Sequence, residues 1–563
     1  MRKIIAILLM VAAFCAAIPM EAKKKKRSRK PARTTARAPK PKPAAAPLVS
    51  DIPVIPETKL SPKHEMRGAW LATVYGIDWP SKQGSTAAIA DVQRRELAEI
   101  LDILQSAGIN AVMLQVRPMA DAFYRSSLEP WSQYLTGERG GAPADGWDPL
   151  AFAVEEAHLR GMELHAWVNP FRLSTGEAPA ATRAANGKST FDPMKKGWVI
   201  TWRKPARKGE KASTVSILDP GNPEARKHIV DVCREIVTQY DVDGLVFDDY
   251  FYPDRLPLGS AFDFNDYKRD IKHMPEGMEA PSQAEWRRGN VARTIADVHA
   301  MLAKERPWVR FGVAPAGVAG GNGESASRYG LRVPVGNDWM YDRIFCDPLR
   351  WLSDGTVDYV SPQLYWPSGH ATNPYAPLAE WWGDVAVRFG RHCYPSQSVG
   401  ALPQCEAALA EQGFQVGTNR RCSTGADAGS VFYSTVHLTG KKMKGMADYL
   451  ASECYRNPAL LPAMTWKDAP NPGTIESVER KGDILEWETI PQMRYVVYAV
   501  PDEVDLLDAL ASEGRNFAPE YILGVTYSGM FELPKDKLKD YWYAVAPYDR
   551  YGNEWDAAVL SNK

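Results

Sequence analysis

Between about residues 64 and 462, short apolar runs of strand character alternate with longer segments whose apolar residues recur at helical spacing. The strand-like runs fall at 67–74, 110–116, 163–168, 244–247, 310–314, 359–364, 392–396 and 429–434. Strand–helix alternation predicts a parallel sheet with crossover helices, and eight repeats close a TIM (β/α)8 barrel. The helical segments carry their own punctuation. Leu97, Ile100, Leu101 and Leu104 mark one apolar face, with Gly108 placed to end that helix, and Asn222-Pro223 reads as an N-cap followed by proline at the first helical position. The longest gaps between strands, about 172–220 and 254–290, follow the third and fourth strands. Insertions there would lie on the catalytic face and wall a groove.

After Pro470 the helical pattern stops. Short runs at 484–487, 494–500 and 541–547 mix apolar and polar residues, and Asp549-Arg550-Tyr551-Gly552-Asn553 reads as a turn. These features predict a small all-β sandwich, and Tyr541-Trp542-Tyr543-Ala544-Val545-Ala546-Pro547-Tyr548-Asp549 resembles the closing hairpin of a fibronectin type III module.

Charge changes the picture at the N-terminus. The chain has 68 Lys/Arg and 68 Asp/Glu, but residues 1–50 hold 13 of the former and only Glu21 of the latter. The remainder carries 55 basic and 67 acidic groups, a net of −12. A mildly acidic body argues against a nucleic-acid partner. Met1-Arg2-Lys3, an apolar run from Ile4 to Ala17 and small residues around the cleavage region predict a secretory signal over 1–22 and an exported, periplasmic or envelope-associated protein. Phe14 stands where lipidation of Cys15 needs a small residue, so a lipoprotein is not expected. Residues 23–60 read as a linker, and the Lys/Arg/Pro/Ala-rich stretch 23–50 has almost nothing to bury. It is expected to be a disordered spacer or a cationic tether to an anionic envelope surface.

The candidate chemistry sits at strand ends. Val242-Asp243-Gly244-Leu245-Val246-Phe247-Asp248-Asp249-Tyr250-Phe251-Tyr252-Pro253 ends an apolar strand in two carboxylates flanked by tyrosines. Glycosidic bond hydrolysis uses a pair of carboxyl groups. Alternation along the strand turns Asp248 into the barrel mouth and Asp249 toward the rim, which makes Asp248 the first candidate for nucleophile or base. Its partner is sought in Asp249 or in Asp121, which follows the second strand. The fifth strand's exit, Gly312-Val313-Ala314-Pro315-Ala316-Gly317, offers no acid. Arg117, at the end of the second strand, is expected to orient the carboxylates. Trp167, Asn169, Tyr250, Tyr252, Gln363, Tyr365 and Trp366 are the candidates for sugar binding, whereas His165, early in its strand, is expected to make a core hydrogen bond. No metal or organic cofactor is needed for this chemistry, and the spacing of the six cysteines beyond the signal matches no metal motif.

Taken in order, several segments resemble the glycosyl-hydrolase-like family 10. They are Arg67-Gly68-Ala69-Trp70, Gln115-Val116-Arg117-Pro118 with Asp121-Ala122-Phe123-Tyr124, Pro130-Trp131-Ser132, Leu135-Thr136-Gly137, Trp147-Asp148-Pro149-Leu150, Glu163 to Pro170, Asp243 to Pro253, and Ser361-Pro362-Gln363-Leu364-Tyr365-Trp366. The resemblance spans about 64–440. It implies a TIM barrel over about 61–465, ahead of the fibronectin-like module at 466–563. It also implies hydrolysis of a cell-envelope glycan, with peptidoglycan strands the best-supported substrate class. Two other readings stay open at this point: a non-catalytic glycan-binding barrel, and a metal-dependent envelope hydrolase that uses the aspartates as ligands.

Overall fold

The computed structural model describes residues 62–206, 211–259, 262–321, 323–423, 428–511 and 516–560. The expected signal and basic linker lie outside them. Eight parallel strands appear where the apolar runs predict: β1 (Glu65–Leu71), β2 (Ala111–Arg117), β3 (Glu163–Val168), β4 (Gly244–Phe247), β5 (Arg310–Val313), β6 (Tyr359–Val360, resumed at Gln363–Leu364), β7 (His392–Cys393, resumed at Ser396–Ser398) and β8 (Ala428–Tyr433). Pro362 and Pro395 split β6 and β7, because proline donates no ladder hydrogen bond. The halves still pair, Tyr359 with His392 and Gln363 with Ser396. With β8 paired to both β7 and β1, the sheet curls back on itself as a TIM-barrel-like α/β fold.

The helices follow from local sequence. Thr86 caps Ala87–Ser106, whose buried face is Leu97, Ile100, Leu101 and Leu104. The Asn222 side chain accepts from the Glu224 and Ala225 N–H groups at 2.9 and 3.2 Å, starting Pro223–Gln239. The expected insertion after β3 is real. It forms a three-stranded antiparallel sheet (Arg172–Ser174, Val199–Lys204, Ser213–Leu218) and a two-stranded one (Thr182–Arg183, Thr190–Phe191).

Strand alternation sorts the core into two shells. Leu245 and Phe247 of β4 join the large cluster between sheet and helices, while Val246 joins Met66, Trp70, Met113, Trp167, Tyr359, Tyr394 and Val431 inside the barrel. Two inward positions must be glycine. A Cβ on Gly244 would stand 2.4 Å from the His165 ring, and one on Gly312 would stand 2.1 Å from the Tyr359 ring. His165 then bridges Tyr359 Oη at 3.0 Å and Glu163 Oε2 at 3.0 Å, the core role expected of it. Gly244→Ala forces that ring off its two partners, so thermal melts of the variant should show about 1–3 kcal/mol of destabilisation. An unchanged melting temperature would contradict this packing.

Residues beyond 474 form two antiparallel sheets. One contains Val478–Lys481, Ile484–Trp487 and Met530–Glu532. The other contains Ile522–Thr526, Met493–Pro501, Tyr541–Asp549 and Ala558–Leu560. Leu485 and Trp487 of the first share a core with Tyr495, Val497, Tyr543 and Val545 of the second. The alternate residues Val496, Tyr498, Ala544 and Ala546 pack on the opposite face, with Leu460.

This C-terminal part closes the barrel floor, the end where the strands begin. Arg494 reaches Glu163 at 2.6 Å with both side chains buried, and Arg310 lies 3.4 Å from the same carboxylate. Asp243 receives Arg550 at 2.9 Å, His158 at 2.9 Å and the Tyr527 hydroxyl at 3.1 Å, while the Tyr527 ring stacks on His158 at 3.7 Å. Burial alone would raise both acids. The guanidiniums of Arg310 and Arg494 hold Glu163 down at about 2, and Arg550 with His158 holds Asp243 well below the usual carboxylate range.

Candidate active site

At the opposite end, β4 delivers Asp248 and Asp249 to the mouth, and both are almost wholly buried. Asp248 continues the inward parity of Gly244 and Val246. The Trp167 indole N–H, inward on β3, donates to its Oδ2 at 3.1 Å, and Trp167 is itself braced edge-on by Trp70 at 4.9 Å. The other oxygen, Oδ1, is buried with no hydrogen-bond partner among the described residues. Such an atom is costly to leave unsatisfied and suits a group that meets substrate.

Asp249 leans the other way, toward the exits of β5 and β6. Gln363 lies beside its carboxylate and favours the ionised form, while its Nε2 donates to the Ala314 carbonyl at 2.9 Å. Asp249 thus occupies the side of the mouth where the fifth strand supplies nothing.

Both acids hold protons more tightly than usual. Burial pushes Asp248 up to about 7; the cation of Arg172 opposes that, and the charge of Asp249 adds to it. Burial likewise lifts Asp249, but Gln363 and Arg172 restrain it to about 6. Between pH 6 and 7 the pair therefore holds about one proton.

The remaining expected residues separate. Tyr250 lies beneath Arg172, whose guanidinium carbon is 3.3 Å from the ring centre. Asn169 is buried and its Oδ1 accepts from the Arg172 N–H at 3.0 Å. Tyr365 stacks on Tyr433 at 5.2 Å, and the Trp366 ring covers Gly317. Three residues do not take the expected places. Arg117 does not touch the pair: a register shift between Gln115 and Arg117 turns it out of the barrel, where Glu129 grips it at 2.6 and 2.7 Å. Asp121 lies in the loop after β2, accepting from the Met119 N–H at 2.9 Å and pairing with Arg139 at 3.5 Å. Tyr252 is buried against Phe345 and Arg287 behind the mouth, because the chain has left the strand and alternation no longer aims it.

Arg172, Tyr433 and Tyr75 join the mouth without having been singled out. Tyr75 is 38% exposed, and its hydroxyl meets Thr175 of the insertion at 2.6 Å. Arg172 had one legible signal, as the only cation in the polar exit of β3. Among the described residues, no group of three His, Cys, Asp or Glu side chains is placed to hold a metal ion.

Residues 65–407 match the model of a family described as Glycosyl hydrolase-like 10. The chain is 31% identical over 519 residues to glycosyl hydrolase YngK of Bacillus subtilis, covering 89% of this chain and 93% of that protein. It is 37% identical over 343 residues to glycosyl hydrolase DigH of Escherichia coli, covering 59% and 72% respectively. Likeness to solved structures is looser. The glycoside hydrolase domain of PgaB (BpsB) from Bordetella bronchiseptica superposes with a TM-score of 0.42 at 14% identity, covering 70% of this chain and 99% of that one.

Proposed function

We propose, from the premise that this chain belongs to the glycosyl hydrolase-like 10 family and is a glycoside hydrolase, that it cleaves the glycan strands of peptidoglycan with Asp248 as general acid and Asp249 as base or nucleophile. The observation that carries the assignment is the difference between two neighbouring buried carboxyls. Asp248 is raised by burial and by the charge of Asp249 and presents a buried oxygen with no hydrogen-bond partner among the described residues, whereas Asp249, also raised by burial, lies beside Gln363, which favours its ionised form. Environments that drive two carboxyls apart distribute acid and base roles between them. This order reverses the part that strand parity alone suggested for Asp248. Asp121 is given no share in it: it sits in the loop after β2, its Oδ1 taken by the Met119 N–H and its Oδ2 3.5 Å from Arg139.

The substrate class rests on the family resemblance and on the character of the mouth. Tyr75, Tyr365, Tyr433 and Trp366 offer flat faces suited to sugar rings, and the insertion after β3 lengthens one wall. The N-terminal pattern supports export to the envelope, with the basic stretch 23–50 as its tether, and the two C-terminal sheets support a fibronectin type III-like module. Incubation with intact and peptide-stripped peptidoglycan, with fragments identified by mass, tests the substrate. No new reducing ends from either preparation would reject it.

The roles make a pH prediction. Activity needs Asp249 ionised and Asp248 protonated, so it should rise through pH 6, peak between 6 and 7, and fall above 7. A plateau extending past pH 9 would contradict Asp248 as the acid.

A further inference from the structure

One hydrogen bond sorts the two oxygens of Asp248. The Trp167 indole N–H, a group that donates and never accepts, reaches Oδ2 at 3.1 Å. Oδ1 is buried and has no hydrogen-bond partner among the described residues. The indole is itself braced. Trp70 meets it edge-on, with ring centres 4.9 Å apart and planes at 71°. The Trp70 N–H donates to Ser396 Oγ at 2.9 Å, the Ser396 and Ser361 hydroxyls lie 2.8 Å apart, and Ser361 Oγ donates to the Tyr394 carbonyl at 2.7 Å. A hydroxyl has a single hydrogen, so the direction of this chain is fixed. Ser361 gives its hydrogen to the carbonyl and accepts from Ser396, which in turn accepts from Trp70. Trp167 is only 7% exposed, so little of its ring is left for a sugar to cover.

We propose that Trp167 is the positioning residue of Asp248: its N–H takes Oδ2 as acceptor, so the acid carries its proton on Oδ1, and Trp70 with the Ser396–Ser361 chain keeps the indole in place. This rests on the acid role given to Asp248 above and adds which oxygen delivers the proton and what selects it. A protonated carboxyl has one carbonyl oxygen and one hydroxyl oxygen. The carbonyl oxygen is the better acceptor, so a fixed N–H donor selects it and leaves the hydroxyl on the other oxygen. An acid free to carry its hydrogen on either oxygen presents it correctly only part of the time, and general acid catalysis depends on that geometry. In the transfer the Oδ1–H bond breaks and its electron pair stays on the carboxylate. The hydrogen goes to the glycosidic oxygen as that oxygen leaves the sugar carbon with the bonding pair. Oδ2 accepts from the indole before and after.

The kinetic arm of the test rests on the proposed reaction; the infrared arm needs no substrate. Full-length protein labelled at the aspartate carboxyl carbon is compared by infrared difference spectroscopy at pH 5 and pH 9, on either side of the Asp248 titration. The carbonyl band of protonated Asp248 is the one missing from Asp248→Asn. A carbonyl freed from its donor absorbs at higher frequency, so the band should rise in Trp167→Phe. It should rise equally in Trp167→benzothienylalanine, where sulfur replaces the N–H and the fused ring stays. Ser396→Ala keeps the donor but removes the acceptor of Trp70, and should broaden the band. On peptide-stripped glycan strands the benzothienylalanine protein should lose roughly ten- to a hundred-fold in kcat with KM held. An unmoved band in that folded protein overturns the proposal. So does a rise in KM with kcat and band unchanged, which would make Trp167 a substrate contact instead. A Ser396→Ala band identical to wild type overturns the part given to Trp70 and the serines. If wild-type protein cleaves no glycan while the band shifts as expected, the proposed reaction fails and the hold of Trp167 on Asp248 stands.

Discussion

Asp248→Asn should lower kcat by roughly a hundred- to ten-thousand-fold while making the protein more stable above neutral pH. The first effect follows from the acid role, since an amide cannot deliver a proton to the leaving oxygen. The second follows from linkage. The folded-state pKa of Asp248 is raised from 3.8 to about 7, so the folded chain binds the proton more tightly than the unfolded one. Stability contributed by that group is present at low pH and is lost between about pH 4 and 7. At pH 8 the buried charge costs on the order of 4 kcal/mol, taking about three pH units at about 1.4 kcal/mol each. Asparagine is neutral throughout and can still accept from the Trp167 indole. Melting curves at pH 5 and pH 8, beside reducing-end assays, check both parts. A variant that is inactive but also less stable at pH 8 would mean the carboxylate holds the fold rather than storing strain for the reaction.

The second large effect lies at the other end of the barrel. Arg494→Met should destabilise the protein by about 3–5 kcal/mol at pH 7, because it leaves Glu163 buried with only Arg310 at 3.4 Å and His165 to compensate it. The folded pKa of Glu163 is depressed to about 2, so the stability it contributes is present above the ordinary 4.5 and lost as pH falls through 2. The deficit of Arg494→Met should therefore shrink toward pH 3. Urea midpoints at pH 7 and pH 3 measure it. A difference from wild type that is the same at both values would assign the loss to packing instead of charge.

How much of this was legible in the sequence depends on how far each residue lies from regular backbone. The eight strands were readable because apolar runs and capped helices alternate along the barrel, and Asp248 because four residues of unbroken β4 fix its parity. Arg117 was misplaced by a single irregularity: the shift after Gln115 turns the next side chain to the other face, and nothing in Gln115-Val116-Arg117-Pro118 marks it. Tyr252 lies beyond the end of β4, where alternation fixes no direction, and packs against Phe345 and Arg287. Asp121 sits in a loop whose partner, Arg139, is supplied 18 residues on, a pairing that only tertiary structure reveals. The proline breaks in β6 and β7 were visible as residues, but their consequence, strands that stop and resume in register, was not. Arg172 was overlooked because its importance comes from what it lies upon, not from its position in a motif.

The plugged floor also has a meaning in time. All eight strands have been synthesised once the ribosome passes Tyr433, yet Arg494 and Arg550 come later in the chain. Until they arrive, Glu163 lacks its closest cation and Asp243 keeps only His158 and its backbone contact. The barrel is thus committed late. A product that ends between residues 434 and 493 contains all eight strands and both candidate acids but lacks the two cations that seal its base.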